Sequence, residues 1–325
     1  MSARRTRRLA FLSLLTPHCF LLFLGRVLGW IWYYLIPIRR SLVRRHIRHA
    51  LDPASPAETR SIARRMFENL GMNLVELFLI DPANPQKTLG RIERRNMERF
   101  DREYAKGKGV LVLTAHFGNW DLLCCSQAMA GIPITIISKT IKPRWLNDYW
   151  MRTRRQCGVE ILPDRGVRAD LLKRLDGGGV VGFVIDQHAP GGFGVVVDFF
   201  GRPAYTTPGL AELALDSGAP VVPIFLVRCP GGHHRMEVGR PIPIIHGTTR
   251  HETVCKTTQA YNRALEEAVR LHPDHWLWLH RRWKVATEPG EPAFGPPNGV
   301  KRLNNSDFLL AFFRSTRYQF ALELR

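Results

Sequence analysis

From Lys108 to Leu271 the chain mostly alternates short apolar runs with stretches of helical spacing, several closed by glycine. Residues 110–113, 132–138, 159–162, 180–185 and 221–227 read as strands. Apolar runs of about four to eight residues between turn formers suit a strand covered on both faces. Residues 122–130, 143–157, 167–175 and 207–217 read as helices, ended by Gly131, Gly158, Gly177 and Gly218. Gly231-Gly232 turns the chain into a strand at 234–238, and 248–271 reads as a long helix. Upstream, Ser55-Pro56-Ala57-Glu58 is a capping box with proline at the first helical position. It opens a helix running towards Asp81-Pro82 that packs outside the sheet. Alternation of this kind predicts an α/β fold: a mostly parallel sheet flanked by helices on both faces, with an N-terminal membrane-associated helix.

The first strand leads into Thr114-Ala115-His116-Phe117-Gly118-Asn119-Trp120-Asp121. His116 is thereby expected at the carboxyl end of a strand, the edge where open α/β sheets bind ligands. Asp121, five residues on, begins the next helix. A histidine held by a carboxylate is a common general base near neutral pH. The bare spacing is weak, since 12 histidines and 28 acids in 325 residues give about one such pair by chance. The strand–turn–helix context carries the reading, against the alternative of a purely structural pair.

The formal net charge of +19 calls for an anionic partner. Nucleic acid is not the expected partner: the cations are not gathered in a recognition helix, and no zinc finger, basic zipper or aromatic RNA-binding signature is present. Many arginines instead flank the N-terminal apolar stretches 9–25 and 27–38: Arg4, Arg5, Arg7 and Arg8 before, Arg26 between, and Arg39, Arg40, Arg44, Arg45 and Arg48 after. No small-residue cleavage site marks a signal peptide. The favoured reading is a helix lying in the membrane surface, with arginines on lipid headgroups at roughly 1 kcal/mol each. A buried hydrophobic helix and a true span are the alternatives. The six cysteines read as reduced core residues, and neither they nor the loop histidines show metal-type spacing, so neither metal nor cofactor is expected. The expected domains are a basic, apolar membrane-associated segment (1–50), an α/β domain (51–285) and a loosely structured tail (286–325), in which 308–313 would form an apolar helical turn.

Several motifs then fall in one order: His116-Phe117-Gly118-Asn119-Trp120-Asp121; Arg154 before Gly158; Asp186-Gln187; Phe199-Phe200-Gly201-Arg202-Pro203-Ala204 with Thr206; Gly218-Ala219-Pro220-Val221-Val222-Pro223 with Arg228; and Trp276-Leu277-Trp278-Leu279-His280-Arg281-Arg282-Trp283-Lys284. Over roughly residues 10 to 285 this set resembles the late acyltransferases of lipid A biosynthesis. These belong to the glycerolipid and lysophospholipid acyltransferase superfamily, whose signature is His, four residues, then Asp or Glu. One departure stands after the N-terminal helix, where the family usually has an asparagine and this chain reads Arg44-Arg45-His46-Ile47-Arg48.

The resemblance implies transfer of a fatty acyl group from an acyl thioester, acyl carrier protein or acyl-CoA, to a hydroxyl of a lipid-linked sugar at the cytoplasmic face of the bacterial inner membrane. His116 would take the hydroxyl proton, Asp121 would fix its tautomer, and Arg154 would serve the oxyanion, helped by Asn119. Asp186 and Gln187 are candidates for substrate binding or for capping a turn, and Phe200 for a wall of the acyl pocket or for core. Arg202 and Arg228 are binders of substrate phosphate or surface cations. Trp276, Trp278 and Trp283 are expected to pack or to sit at a membrane interface. Two competing readings are a thioesterase using water as acceptor and a basic membrane-binding protein without chemistry.

Overall fold

A computed structural model describes residues 18–36, 38–189 and 193–284. Among them the strands are β1 (Ile92–Arg95), β2 (Val110–Thr114), β3 (Ile134–Ile137), β4 (Glu160–Leu162), β5 (Val180–Val184), β6 (Val195–Phe199), β7 (Arg202–Thr206), β8 (Val221–Arg228) and β9 (His234–Val238). The helices are α1 (His18–Leu35), α2 (Arg40–Leu51), α3 (Pro56–Leu79), α4 (Pro85–Leu89), α5 (Met97–Tyr104), α6 (Trp120–Met129), α7 (Arg144–Gln156), α8 (Arg168–Asp176), α9 (Gly209–Ser217) and α10 (Arg250–Leu271).

Seven strands form one sheet in the order β1-β9-β8-β2-β5-β3-β4. The run from β8 to β4 is parallel throughout. The turn at Pro230–Gly232 sends β9 back antiparallel to β8, and β1 then pairs parallel with β9. The sheet is thus mostly parallel, as the alternation predicts. Val110, Leu111 and Leu113 of β2 are fully buried because helices cover both faces. On one face β2 packs with Leu77 of α3, Phe100 of α5 and Leu122, Leu123 and Cys125 of α6. On the other it packs with Leu171 and Leu175 of α8, Leu210 of α9 and Tyr261 of α10. Burying each such large apolar side chain is worth about 1.5–3 kcal/mol.

Strands β6 and β7 make a separate antiparallel hairpin that the alternation does not predict. Its turn, Phe200-Gly201, has positive φ at both residues (56° and 72°). Phe200 is held there by its own N–H, which donates to Glu266 Oε1 at 2.7 Å, while the Gly201 N–H donates to Asp198 Oδ1 at 3.0 Å.

The two apolar N-terminal stretches do not form separate elements in the described region. One helix, α1, runs through Arg26. Its buried stripe, Leu22, Gly25, Gly29 and Tyr33, lies on α3. The backbones touch: a Cβ on Gly29 would meet the Phe67 carbonyl oxygen at 2.2 Å, and one on Gly71 would meet that of Gly25 at 2.2 Å. The opposite side exposes Phe20, Phe23, Leu24, Trp30, Tyr34 and Leu35. By length and composition α1 is able to cross a membrane. The arginine-rich segment after it folds as α2, with Val43, His46 and Ile47 buried and Arg44 Nη2 donating to the Tyr33 hydroxyl at 2.7 Å. The capping box of α3 forms as read: Ser55 Oγ accepts from Glu58 N at 3.1 Å, and Glu58 Oε2 accepts from Ala54 N at 2.9 Å. After α10 the chain crosses the carboxyl edge of the sheet, where Trp276 and Trp278 are fully buried; they pack rather than face a membrane. The apolar run at 308–313 and the rest of the tail lie outside the described residues.

Candidate functional site at the carboxyl edge of the sheet

Parallel pairing of β2 with β5 sets Thr114 opposite Val184. Two residues beyond each strand end stand His116 and Asp186. The imidazole Nδ1 lies 2.9 Å from Asp186 Oδ1, and the His116 peptide N–H donates to Asp186 Oδ2 at 3.0 Å. Trp276 Nε1 donates to the same Oδ2 at 3.0 Å. Since an ionised carboxylate only accepts, the neutral imidazole carries its proton on Nδ1 and its lone pair on Nε2. The Trp120 ring packs edge-on against the imidazole at 5.2 Å.

The loop itself is clamped. Gly118 has φ +55°, and a Cβ there would lie 1.7 Å from the Leu226 carbonyl oxygen, so no other residue fits. The Gly118 N–H donates to His275 O at 2.9 Å, Asn73 Nδ2 donates to Gly118 O at 2.6 Å, and the Leu277 N–H donates to His116 O at 2.9 Å.

The carboxylate bonded to His116 is therefore Asp186, not Asp121 as the motif suggested. Asp121 is the second residue of α6 and turns towards α7. Its Oδ1 accepts from Arg154 Nε at 2.8 Å, Arg154 Nη2 at 2.5 Å and Trp150 Nε1 at 2.6 Å. Arg154 Nη1 reaches Ser138 Oγ at 3.2 Å, and its guanidinium lies 4.9 Å over the Trp150 ring. The solvated-face alternative for Arg154 fails, because the residue is buried. Its donors are also largely committed to Asp121, which corrects the picture of a guanidinium free for an oxyanion.

Electrostatics follow from these partners. Burial works to lower the basicity of His116, but the Asp186 charge and hydrogen bond, with the more distant Asp121, outweigh it and raise the imidazole above its ordinary range. Burial alone would raise Asp186; the His116 partner and the Trp276 N–H overcome it and hold the carboxyl down at about 2. Arg154 is likewise raised against burial by Asp121.

Other candidates take structural positions. Asn119 caps α6, accepting from Leu122 N at 3.0 Å, and donates to Glu76 Oε2 at 2.6 Å. Arg228 makes a two-pronged pair with Glu76, at 2.7 Å on each prong, and reaches Asn73 Oδ1 at 2.6 Å. Arg228 is not a surface cation: a buried carboxylate pairs with it. Glu76 is pushed up by burial but held far below the usual carboxylate range by Arg228 and His234. Gln187 is half-buried beside Asp186, and its carbonyl accepts from Arg282 Nη1 at 3.5 Å. Phe200 and Arg202 lie apart on the hairpin. Phe200 is buried under the Arg270 guanidinium at 4.7 Å, and Arg202 Nη2 lies 2.7 Å from His49 Nδ1. Sequence reasoning missed Glu76, Asn73, Ser138 and Trp150. The only available signal was the amide and acid at i and i+3 on α3, Asn73 and Glu76, which a surface helix also shows.

Comparison with known proteins identifies the family. Residues 8–285 match the family model described as bacterial lipid A biosynthesis acyltransferase. The chain is 26% identical over 275 residues to the lipid A biosynthesis lauroyltransferase of Escherichia coli (strain K12), covering 84% of this chain and 88% of that one. It is 25% identical over 249 residues to a phosphatidylinositol mannoside acyltransferase of Mycobacterium tuberculosis, covering 74% and 76%. A lipid A biosynthesis palmitoleoyltransferase of E. coli is 23% identical over 275 residues, covering 83% and 86%. With its loop, dyad and parallel edge all inside the matched span, the chain belongs to the bacterial lipid A biosynthesis acyltransferase family and is an acyltransferase.

Proposed function

We propose that this protein is a membrane-associated O-acyltransferase that moves a fatty acyl group from an acyl thioester, carried by acyl carrier protein, to a hydroxyl of a lipid-linked sugar in lipid A biosynthesis. The observation that carries the chemistry is the His116–Asp186 pair at the carboxyl edge of the sheet, with Nδ1 occupied at 2.9 Å. A hydroxyl is a poor nucleophile until a base removes its proton. His116 Nε2 takes that proton as the hydroxyl oxygen forms its bond to the thioester carbonyl carbon. Asp186 holds the ring and stabilises the imidazolium. The tetrahedral oxyanion collapses, the carbon–sulfur bond breaks, and Nε2 returns the proton to the departing thiolate. No acyl-enzyme is needed. Asp121 and Arg154 act by fixing α6 against α7 and by adding their field to His116. Asn119 and Arg228 brace the loop through Glu76, and Gln187 sits beside Asp186.

The apolar outer side of α1 supports seating on a bilayer, and the arginines around it support an anionic leaflet. These features and the family support a seat at the cytoplasmic face of a bacterial inner membrane. The matched mannoside acyltransferase favours a second reading, in which the acceptor is another glycolipid and the donor acyl-CoA.

The test is acyl transfer by the purified protein in lipid vesicles, followed by thiol release and by mass spectrometry of the acceptor. His116→Ala, still folded and membrane-bound, should lose transfer by about 10²–10⁴-fold. Unchanged transfer would remove His116 as the base. Thiol release indifferent to the acceptor would mean hydrolysis instead. Lipid A short of one acyl group in a deletion strain identifies the acceptor, and intact lipid A there points to the second reading.

A further inference from the structure

Three arginines near the site are withdrawn from water, and two have a carboxylate in contact: Arg154 has Asp121 and Arg228 has Glu76. The third, Arg282, is fully buried at 0% exposure. Its Nη1 donates to the carbonyls of Tyr205 at 2.6 Å and Gln187 at 3.5 Å, and its Nη2 donates to the Thr206 hydroxyl. The guanidinium lies 5.0 Å over the Phe199 ring, and its Nε has no hydrogen-bond partner among the described residues. All its hydrogen-bond partners among the described residues are neutral. A guanidinium out of water needs a compensating charge nearby, and neutral oxygens supply only part of it. Burial lowers Arg282 to about 10, and the acid whose charge opposes that is Asp186. Arg282 therefore remains a cation at neutral pH. Its Gln187 contact ties it to the residue after Asp186.

We propose that Arg282 is a positioning residue of the acyl-transfer site: the buried counter-cation that balances the Asp186 carboxylate whenever His116 is neutral. This rests on reading His116 as the base. A base must start unprotonated, which leaves Asp186 as a buried anion beside a neutral ring. With no cation near, that anion is relieved by keeping a proton on His116, the wrong form for accepting one. The other groups facing the pair do not fill this role. Trp276 gives only an N–H, and His280 is pushed down to about 3, chiefly by burial, and is neutral. On the other side of His116, the charge of Arg154 is matched by Asp121. Lys284 acts on both His188 and His280 but is exposed, where water and salt screen its charge, and His188 is itself held neutral at about 4 by burial.

The experiment compares Arg282→Met and Arg282→Lys with the unchanged protein, reading the acid limb of kcat/KM against pH. It also reads the His116 imidazole by NMR titration, assigned by the signal lost in His116→Ala. Removing a cation favours the imidazolium, so Arg282→Met should move both midpoints up by about one pH unit. The rate should fall about tenfold below the limb and approach the normal plateau above it. Arg282→Lys keeps the charge and should keep the midpoint and plateau. A folded Arg282→Met with unmoved midpoints, or with equal loss at every pH, overturns the proposal. Should Arg282→Met not fold, the lysine variant decides, because a role confined to the hydrogen-bonding fork lowers its plateau. The NMR titration needs no turnover, so failure of this proposal and failure of His116 as base are told apart.

Discussion

Asp186 grips His116 twice, with one oxygen on the ring and the other on the peptide nitrogen. Asp186→Asn should therefore cost more than its size suggests. We expect a loss of about 10²–10⁴ in kcat and a lower pH for the acid limb, both readable in one rate–pH series. The same pairing affects stability. His116 is raised when folded, so the charged pair stabilises fully below the ordinary histidine value near 6.5 and is lost as pH rises through the raised folded value. Asp121→Ala should behave differently: it strands Arg154 in a buried site, at a cost of about 3–5 kcal/mol in denaturant unfolding. Glu76 has the opposite sign. Its carboxyl is depressed, so the stability it lends is present above the ordinary value near 4.3 and disappears as pH falls. The spacing His116-to-Asp121 was legible, yet the ring's partner lies 70 residues away. Adjacency between strands, which no local pattern encodes, makes that contact.

At the scale of elements, continuous apolar runs made β2, β3, β5 and β8 readable, because strands covered on both faces lack polar alternation. The hairpin of β6 and β7 was missed. Its turn carries Phe200-Gly201 where Asn-Gly would advertise it, and the left-handed phenylalanine is stabilised by Glu266, far along the chain. Strand β1 is four residues with one buried, too little for a pattern, and the contact of α1 with α3 is invisible without both partners. That contact gives a sharp prediction. Gly29→Val places side-chain atoms where the Phe67 carbonyl already sits, so α1 must lift from α3. Thermal melting should fall and limited proteolysis near α1 should quicken, while Gly131→Ala, with no atom within 4 Å of its added Cβ, meets no clash and carries only the strain of its positive φ.

For the whole molecule, +19 charges and one apolar flank divide the proposed membrane attachment into two separable parts. Replacing Phe20, Phe23 and Trp30 with serine should weaken vesicle binding at every salt concentration. Raising salt on the unchanged protein should weaken it only on anionic vesicles. The sheet register has a consequence for folding. His116 and Asp186 stand two residues past the paired ends of β2 and β5, so the dyad is a reporter of strand alignment. A slip of one residue would send the carboxylate to the opposite face of the sheet. During refolding, helical signal is free to return early, but catalytic competence should return no sooner than amide protection in these two strands.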